Sequence, residues 1–297
     1  MAIKKVGVVG CGLMGHGIVQ VAAQGGFRVV ALETEQKFLD SGLARIDKSL
    51  AKLAEKAVKD GKATAEDAQK RAIESRARIT GALDRKALAD CDLVVEAIIE
   101  NLDLKKQLFS ELGRICQAST IFASNTSSFP IADMAAVCGR PSRMVGLHFF
   151  NPVQLMKLVE VVRTSATADD VFAEARAFGE ACGKSPVACK DTPGFVVNRL
   201  LVPYMSEAMK LLERGDASAA DIDTAMKLGC GYPMGPIELT DYVGLDTTLS
   251  IVEGWTKRYP NESAFSVPSA LREKVAQGKL GRKSGEGFYK WEGDKRV

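Results

Sequence analysis

The 297-residue sequence predicts an α/β fold: a mostly parallel sheet with a helical hairpin inserted, followed by an all-helical second domain. Three observations predict it. The first half alternates short apolar runs with helical patterns, as a parallel sheet requires when each strand is joined to the next by a helix. A lysine-rich stretch over residues 37–75 is helical in period and broken near Asp60-Gly61, so it projects from the sheet as a hairpin. From "KDTPGFVVNRLLVPYMSEAMKLLERG" onward strand alternation stops and helical patterns take over. The length exceeds the usual span of a single core, so the expected division is residues 1–190 and 191–297.

The first strand, "KKVGVVG", runs into "GCGLMGHG", which carries G-x-G-x-x-G at Gly10, Gly12 and Gly15 between a strand and a helix. In that context the first glycine permits a tight turn, the second lets the backbone approach a pyrophosphate, and the third lets helix pack on strand. The free N–H groups and positive dipole end of the helix then face the phosphates. Gly10, Gly12, Leu13, Met14 and Gly15 are therefore the expected dinucleotide contacts. The second strand, "FRVVALE", ends at Glu33, 18 residues past Gly15, close to the spacing of an acid that binds the adenosine ribose hydroxyls. A carboxylate there repels a 2′-phosphate, so the expected cofactor is NAD rather than NADP. The competing reading is a glycine turn beside a surface glutamate.

In the hairpin, Lys48, Lys52, Lys56 and Lys59 recur along one helical face with Ser49 beside them. Such a stripe suits an anionic small molecule, although lysine faces are commonly just solvated. "CDLVVEAI", "STIFASN" and "RMVGLHF" are the next strands. Ser127 follows the second of these, at the carboxyl end where open α/β sheets bind ligands. A hydroxyl that merely closes a turn is the alternative there.

"GLHFFNPVQLMKLVE" places His148 and Glu160 at the two ends of an apolar segment with a turn signal at Asn151-Pro152. If residues 144–149 and 155–163 fold back about a point near residue 154, positions whose numbers sum to 308 face each other, His148 and Glu160 among them. A slip of one residue would send the pair to opposite faces. Histidine titrates in the range that suits a general base working near neutrality. A carboxylate on the far ring nitrogen fixes the tautomer and stabilises the imidazolium. The alternative is a core histidine satisfied by a backbone carbonyl. The first helix of the second domain, near residues 193–213, is apolar nearly all round, which predicts burial against a second subunit as well as a core. Asn198 interrupts it, and a buried amide needs a partner, either structural or substrate.

Composition narrows the class. Apolar residues make up 46% and charged residues 26%, an ordinary soluble globular chain, and a net charge of +3 is too small to argue for nucleic acid. The seven cysteines are scattered without a C-x-x-C pair, which reads as reduced thiols and neither a disulfide framework nor a metal site. No apolar run reaches membrane-span length, and "MAIKKVGVVG" enters a strand at once with no signal peptide, so the expectation is a cytoplasmic protein, a cleaved organellar presequence being the alternative.

Taken together, "VGVVGCGLMGHGI", "DLVVEAIIENLDLK", "TIFASNTSS", "GLHFFNPVQLMKLVEVV", "CKDTPGFVVNRLLVPY", "ERGDASAADIDTAMKLGCGYPMGPIELTDYVGLD" and "GRKSGEGFYKW" resemble the short-chain L-3-hydroxyacyl-CoA dehydrogenases, including 3-hydroxybutyryl-CoA dehydrogenases, over essentially the whole length. The resemblance implies a Rossmann-like domain followed by a helical dimerisation domain, and oxidation of (S)-3-hydroxyacyl-CoA to 3-ketoacyl-CoA with NAD. It implies His148 as catalytic base with Glu160 as its partner, and Ser127 and Asn198 as polar residues around the substrate. Glu100, Lys105, Asn151 and Lys283 resemble cofactor contacts, and Ser49 and Lys56 resemble contacts to coenzyme A. A related hydroxyacid dehydrogenase would carry a lysine four residues before the asparagine, where this chain has Gly194. A non-catalytic NAD-binding protein of this architecture would have no reason to keep His148, Glu160, Ser127 and Asn198 together.

Overall fold

Eight short strands form one sheet: β1 (Lys5–Val9), β2 (Arg28–Leu32), β3 (Ile79–Ala82), β4 (Leu93–Glu96), β5 (Ile121–Ser124), β6 (Met144–Phe149), β7 (Leu158–Arg163) and β8 (Ser185–Lys190). The computed structural model describes residues 3–297. Strand order is β3-β2-β1-β4-β5-β6-β7-β8, parallel throughout except between β6 and β7. The order reverses between β1 and β4, and open sheets of this kind bind ligands at the carboxyl ends of such a crevice.

Helices α1 (Gly15–Gln24), α2 (Gln36–Lys59), α3 (Ala65–Ala77), α4 (Leu102–Ile115), α5 (Ile131–Ala135) and α6 (Asp169–Ala181) accompany the sheet. Side chains of one strand alternate between faces, so β4 sends Leu93 and Val95 into a core with Ile18, Leu147 and Phe178, and Val94 into another with Phe109, Phe122 and Met144. Helices α2 and α3 are the expected hairpin. The chain turns at Gly61, whose positive φ of 66° suits glycine, and Thr64 caps α3 by accepting from the Asp67 N–H at 3.1 Å.

One compact unit ends at Phe195 and the other runs Val196–Val297. The second contains α7 (Val197–Glu213), α8 (Ala219–Cys230), α9 (Pro236–Val243), α10 (Leu245–Arg258) and α11 (Ser269–Ala276) around a core that includes Val202, Met209, Ile237, Val252 and Leu271. Two buried aspartates anchor its C-terminal segment. Asp241 accepts from the Phe288 and Tyr289 N–H groups and from Trp291 Nε1, all at 2.8 Å, and Asp223 accepts from the Tyr289 hydroxyl at 2.7 Å.

The expected helix over 193–213 begins later. Gly194 and Phe195 have φ of 76° and 53°, left-handed backbone that no right-handed helix passes through, so α7 starts at Val197 and Asn198 lies in its first turn rather than mid-helix. A ribbon, β9 (Trp291–Glu292) with β10 (Lys295–Arg296), adds two short strands to the helical unit.

Candidate active site

The glycine loop has the backbone geometry its spacing implies. Gly10 has φ of 93°, and a Cβ there would meet the Ala97 carbonyl oxygen at 2.6 Å. A Cβ on Gly15 would collide with the Gly10 carbonyl, so only glycine lets α1 approach β1 so closely. A Cβ on Gly12 would meet nothing within 4 Å; that open side is where a phosphate group can come against bare backbone. Glu33 closes the loop, one carboxylate oxygen accepting from the Cys11 N–H at 2.6 Å and the other from the Thr34 N–H at 3.1 Å. Gly10, Cys11, Gly12, Glu33 and Thr34 border a cavity of about 1180 Å³ that also has Arg45, Ile98 and Lys86 in its wall. Cavity and loop fit the adenosine and pyrophosphate of a dinucleotide. Leu13 is exposed in the same loop, and half-buried Met14 precedes the first residue of α1. Burial, with Glu33 close by, pushes the Cys11 thiol up to about 12, leaving it an inert wall residue.

His148 and Glu160 stand opposite each other across the β6–β7 ladder, in the register whose partners sum to 308. His148 Nδ1 and Glu160 Oε2 are 2.7 Å apart, with the carboxylate fully buried and the histidine 5% exposed. With the carboxylate accepting from Nδ1–H, the lone pair of neutral imidazole is on Nε2, and the pair is a base with a fixed tautomer. Phe150 and Phe195 pack against the ring, at centroid distances of 4.5 and 5.6 Å.

Around the end of β4 lies a polar cluster that sequence reasoning saw only in part. Lys105, 1% exposed, reaches Glu96 Oε1 at 2.5 Å and Glu100 Oε2 at 3.1 Å. Glu100 Oε1 accepts from the Thr126 hydroxyl at 2.6 Å, the Ser127 N–H at 3.1 Å and the Ser128 hydroxyl at 2.9 Å. Burial works to raise the Glu100 carboxyl, but the Lys105 ammonium and the Thr126 and Ser128 hydroxyls outweigh it and hold the group below its ordinary range. Glu100, Lys105 and Ser127 are thus brought together, whereas Glu96, Ser124 and Thr126, missed from sequence, complete the cluster. The available signal was an acid ending an apolar strand, "LVVE".

The remaining expected site residues lie on other segments of the chain. Asn151 is exposed in the β6–β7 connection. Ser49 is half-buried on α2, and Lys48, Lys52, Lys56 and Lys59 are exposed on the same helix. Phe38, Ser41 and Arg45 on α2 line the nucleotide cavity, and helical spacing carries that face on to Ser49, Lys52 and Lys56. Within the second unit, Asn198 is half-buried, and Lys283 pairs with Asp246 at 2.5 Å.

A family model described as the 3-hydroxyacyl-CoA dehydrogenase NAD binding domain matches residues 5–192, and one for the 3-hydroxyacyl-CoA dehydrogenase C-terminal domain matches residues 194–291. The chain is 50% identical over 289 residues to the mitochondrial hydroxyacyl-coenzyme A dehydrogenase of Rattus norvegicus, covering 97% of this chain and 91% of that protein. It is 48% identical over 287 residues to a probable 3-hydroxybutyryl-CoA dehydrogenase of Deinococcus radiodurans, covering 97% and 100%. Among solved structures, (S)-3-hydroxybutyryl-CoA dehydrogenase from Ralstonia eutropha superposes with a TM-score of 0.91 at 40% identity, covering 98% of this chain and 100% of that one.

Proposed function

Because the chain belongs to the 3-hydroxyacyl-CoA dehydrogenase family, we propose that it oxidises (S)-3-hydroxyacyl-CoA thioesters, short-chain ones such as 3-hydroxybutyryl-CoA, to 3-ketoacyl-CoA with NAD, and catalyses the reverse reduction. The observation that carries this reading is the buried His148–Glu160 pair near the carboxyl end of the sheet that also bears the dinucleotide loop. When bound, oxidised nicotinamide supplies the acceptor for the hydride that leaves C3. His148 Nε2 takes the hydroxyl proton as the C–O bond becomes a carbonyl, and Glu160 stabilises the imidazolium that results. In reduction the same imidazolium returns the proton to the carbonyl oxygen.

Residues 1–190 are proposed as the NAD-binding domain and 191–297 as the helical substrate and dimerisation domain. Gly10, Gly12, Leu13, Met14, Gly15 and Glu33 bind the dinucleotide, with Glu100, Lys105, Asn151 and Lys283 as further cofactor contacts. Ser127 and Asn198 hold the substrate's polar atoms; Asn198 stands three residues along the chain from the Phe195 that packs on the imidazole. Ser49 and Lys56 hold the coenzyme A handle, on the face of α2 that continues the nucleotide cavity wall. A homodimer formed through the second unit is supported by Leu200, Leu228, Tyr232 and Tyr242, large side chains exposed on it. Among the described residues no helix is long and apolar enough to cross a membrane, and a cytoplasmic location is proposed.

One assay tests the reading. NADH consumption should be rapid with acetoacetyl-CoA and slow with free acetoacetate. Equal rates would point to a simple hydroxyacid dehydrogenase, and no turnover of either to a binding protein.

A further inference from the structure

Glu96 is a fully buried carboxylate at the end of β4, with no place in the chemistry assigned above. Its hydrogen bonds form a closed circuit. Oε1 accepts from Lys105 Nζ at 2.5 Å and from the Ile98 N–H at 2.8 Å, and Oε2 accepts from the Ser124 hydroxyl at 2.5 Å. Ser124 Oγ in turn accepts from the Thr126 N–H at 3.2 Å. The Thr126 hydroxyl donates to Glu100, and Glu100 pairs with Lys105, which returns the path to Glu96. The circuit thus runs Glu96, Lys105, Glu100, Thr126, Ser124 and back, with every link made by a side chain on at least one side.

What the circuit encloses is the turn that carries Ser127. The Ser127 N–H donates to Glu100, and the Thr126 hydroxyl accepts from the Ser128 and Phe129 N–H groups at 3.3 and 3.1 Å, so the turn is held on both sides of Ser127. Asn125, just before it, accepts from the Phe149 N–H at 2.9 Å and ties the same turn to the residue following His148. A buried lysine between two carboxylates contributes little net stability compared with an apolar filling, because desolvation cancels much of the attraction. Its geometric effect is larger: three elements, the end of β4, the first turn of α4 and the turn after β5, are locked to one another by charge-assisted bonds.

We infer that Glu96 is a positioning residue for the reaction, holding through Lys105 and Ser124 the Thr126–Ser128 turn that presents Ser127 to the substrate. The inference rests on the proposed role of Ser127. Misplacing a substrate-holding group by about 1 Å can lower turnover by roughly 100-fold.

The test is a double-mutant cycle on acetoacetyl-CoA reduction with Glu96→Gln and Ser127→Ala, accompanied by melting temperatures and NADH titration of each enzyme. Glu96→Gln alone should lower kcat by roughly 10- to 100-fold. In the Ser127→Ala background the same change should cost less than about twofold, because its effect passes through a hydroxyl already removed, while its effect on melting is the same in both backgrounds. A slow Ser127→Ala enzyme in which Glu96→Gln multiplies the loss in full overturns the inference alone. A Ser127→Ala enzyme with parental turnover overturns the role of Ser127, and the inference with it. If Glu96→Gln does not fold, Ser124→Ala opens the circuit while sparing the ion pairs, and is judged by the same coupling.

Discussion

Replacing Glu160 by glutamine perturbs the catalytic pair at one point while keeping its volume. Nδ1 and Oε2 are 2.7 Å apart, which puts the centres of the two charges about 4 Å apart once the imidazolium has formed. At an effective dielectric constant near 20, full unit charges at that separation attract by about 4 kcal/mol. The histidine gains only part of a proton in the transition state, so about half of that, roughly 2 kcal/mol, is lost, or about 30-fold in rate. Glutamine adds a second effect. Its amide can donate to Nδ1, which drives the ring proton to Nε2 and removes the base; a wrong tautomer in an analogous triad costs about 10⁴-fold. The expected kcat for Glu160→Gln therefore falls by between about 30- and 10⁴-fold, and Glu160→Ala, which offers no donor, falls less than glutamine if the tautomer dominates. The assay is oxidation of 3-hydroxybutyryl-CoA followed by NADH absorbance, with NADH affinity and melting temperature as controls. A Glu160→Gln enzyme that keeps kcat within about threefold, or loses only in KM, would refute the assignment of the pair as base and orienter.

Three further outcomes are expected. With Glu33, Arg45 and Lys86 in the wall of one cavity, the parent should favour NAD over NADP in kcat/KM, and Glu33→Gln should raise kcat/KM for NADP by about tenfold or more; equal use of both by the parent would mean the carboxylate does not meet the ribose. Lys56→Ala should raise KM for acetoacetyl-CoA by roughly two- to fivefold, most at low salt, and leave KM for acetoacetyl-pantetheine unchanged; equal effects on both substrates would reduce the lysine stripe to a solvated face. The Glu100 carboxyl is held below its ordinary range, so its contribution to stability is complete above the unfolded-state pKa of about 4.3 and is lost as pH falls through the lower folded value. Urea midpoints of the parent and Glu100→Gln should therefore differ by a constant amount from pH 7 to pH 5 and converge below that; a gap that widened on acidification would give the shift the opposite sign.

The parts of the fold that were legible are those with a local cause. The glycine loop is specified by a positive φ at Gly10, by the lack of room for a Cβ at Gly15 and by an open side at Gly12, so the three glycines mark the turn, the close packing and the open approach in the sequence itself. The strands buried on both faces read as unbroken apolar runs. Strands β3 and β8 were not legible. β3 is four residues with a glycine inside it, and β8 is a largely exposed edge with Pro186 in it, so neither carries the apolar run by which the buried strands were recognised. The start of α7 was missed because the left-handed pair before it includes Phe195, and a non-glycine residue in that conformation leaves no mark in sequence.

The site divides along the same line, and the division has a geometric origin. His148 and Glu160 could be paired from sequence because β6 and β7 are antiparallel and joined by a short connection, so a turn signal fixes the register and the register names the partner. Glu96 and Ser124 are also direct register partners, on β4 and β5, and their contact is as close. Those strands, however, are parallel and joined through α4, and a crossover of that length leaves the register free at the level of sequence. The acid at the end of "LVVE" was visible, but neither its strand partner 28 residues away nor the helical lysine nine residues on could be assigned to it. A buried carboxylate on a parallel strand signals that partners exist, because an unpaired one would be too costly. Which residues they are is decided only when crossover helix and neighbouring strand dock, so in a sheet of this kind the residues that touch substrate can be read from sequence more readily than those that hold them in place.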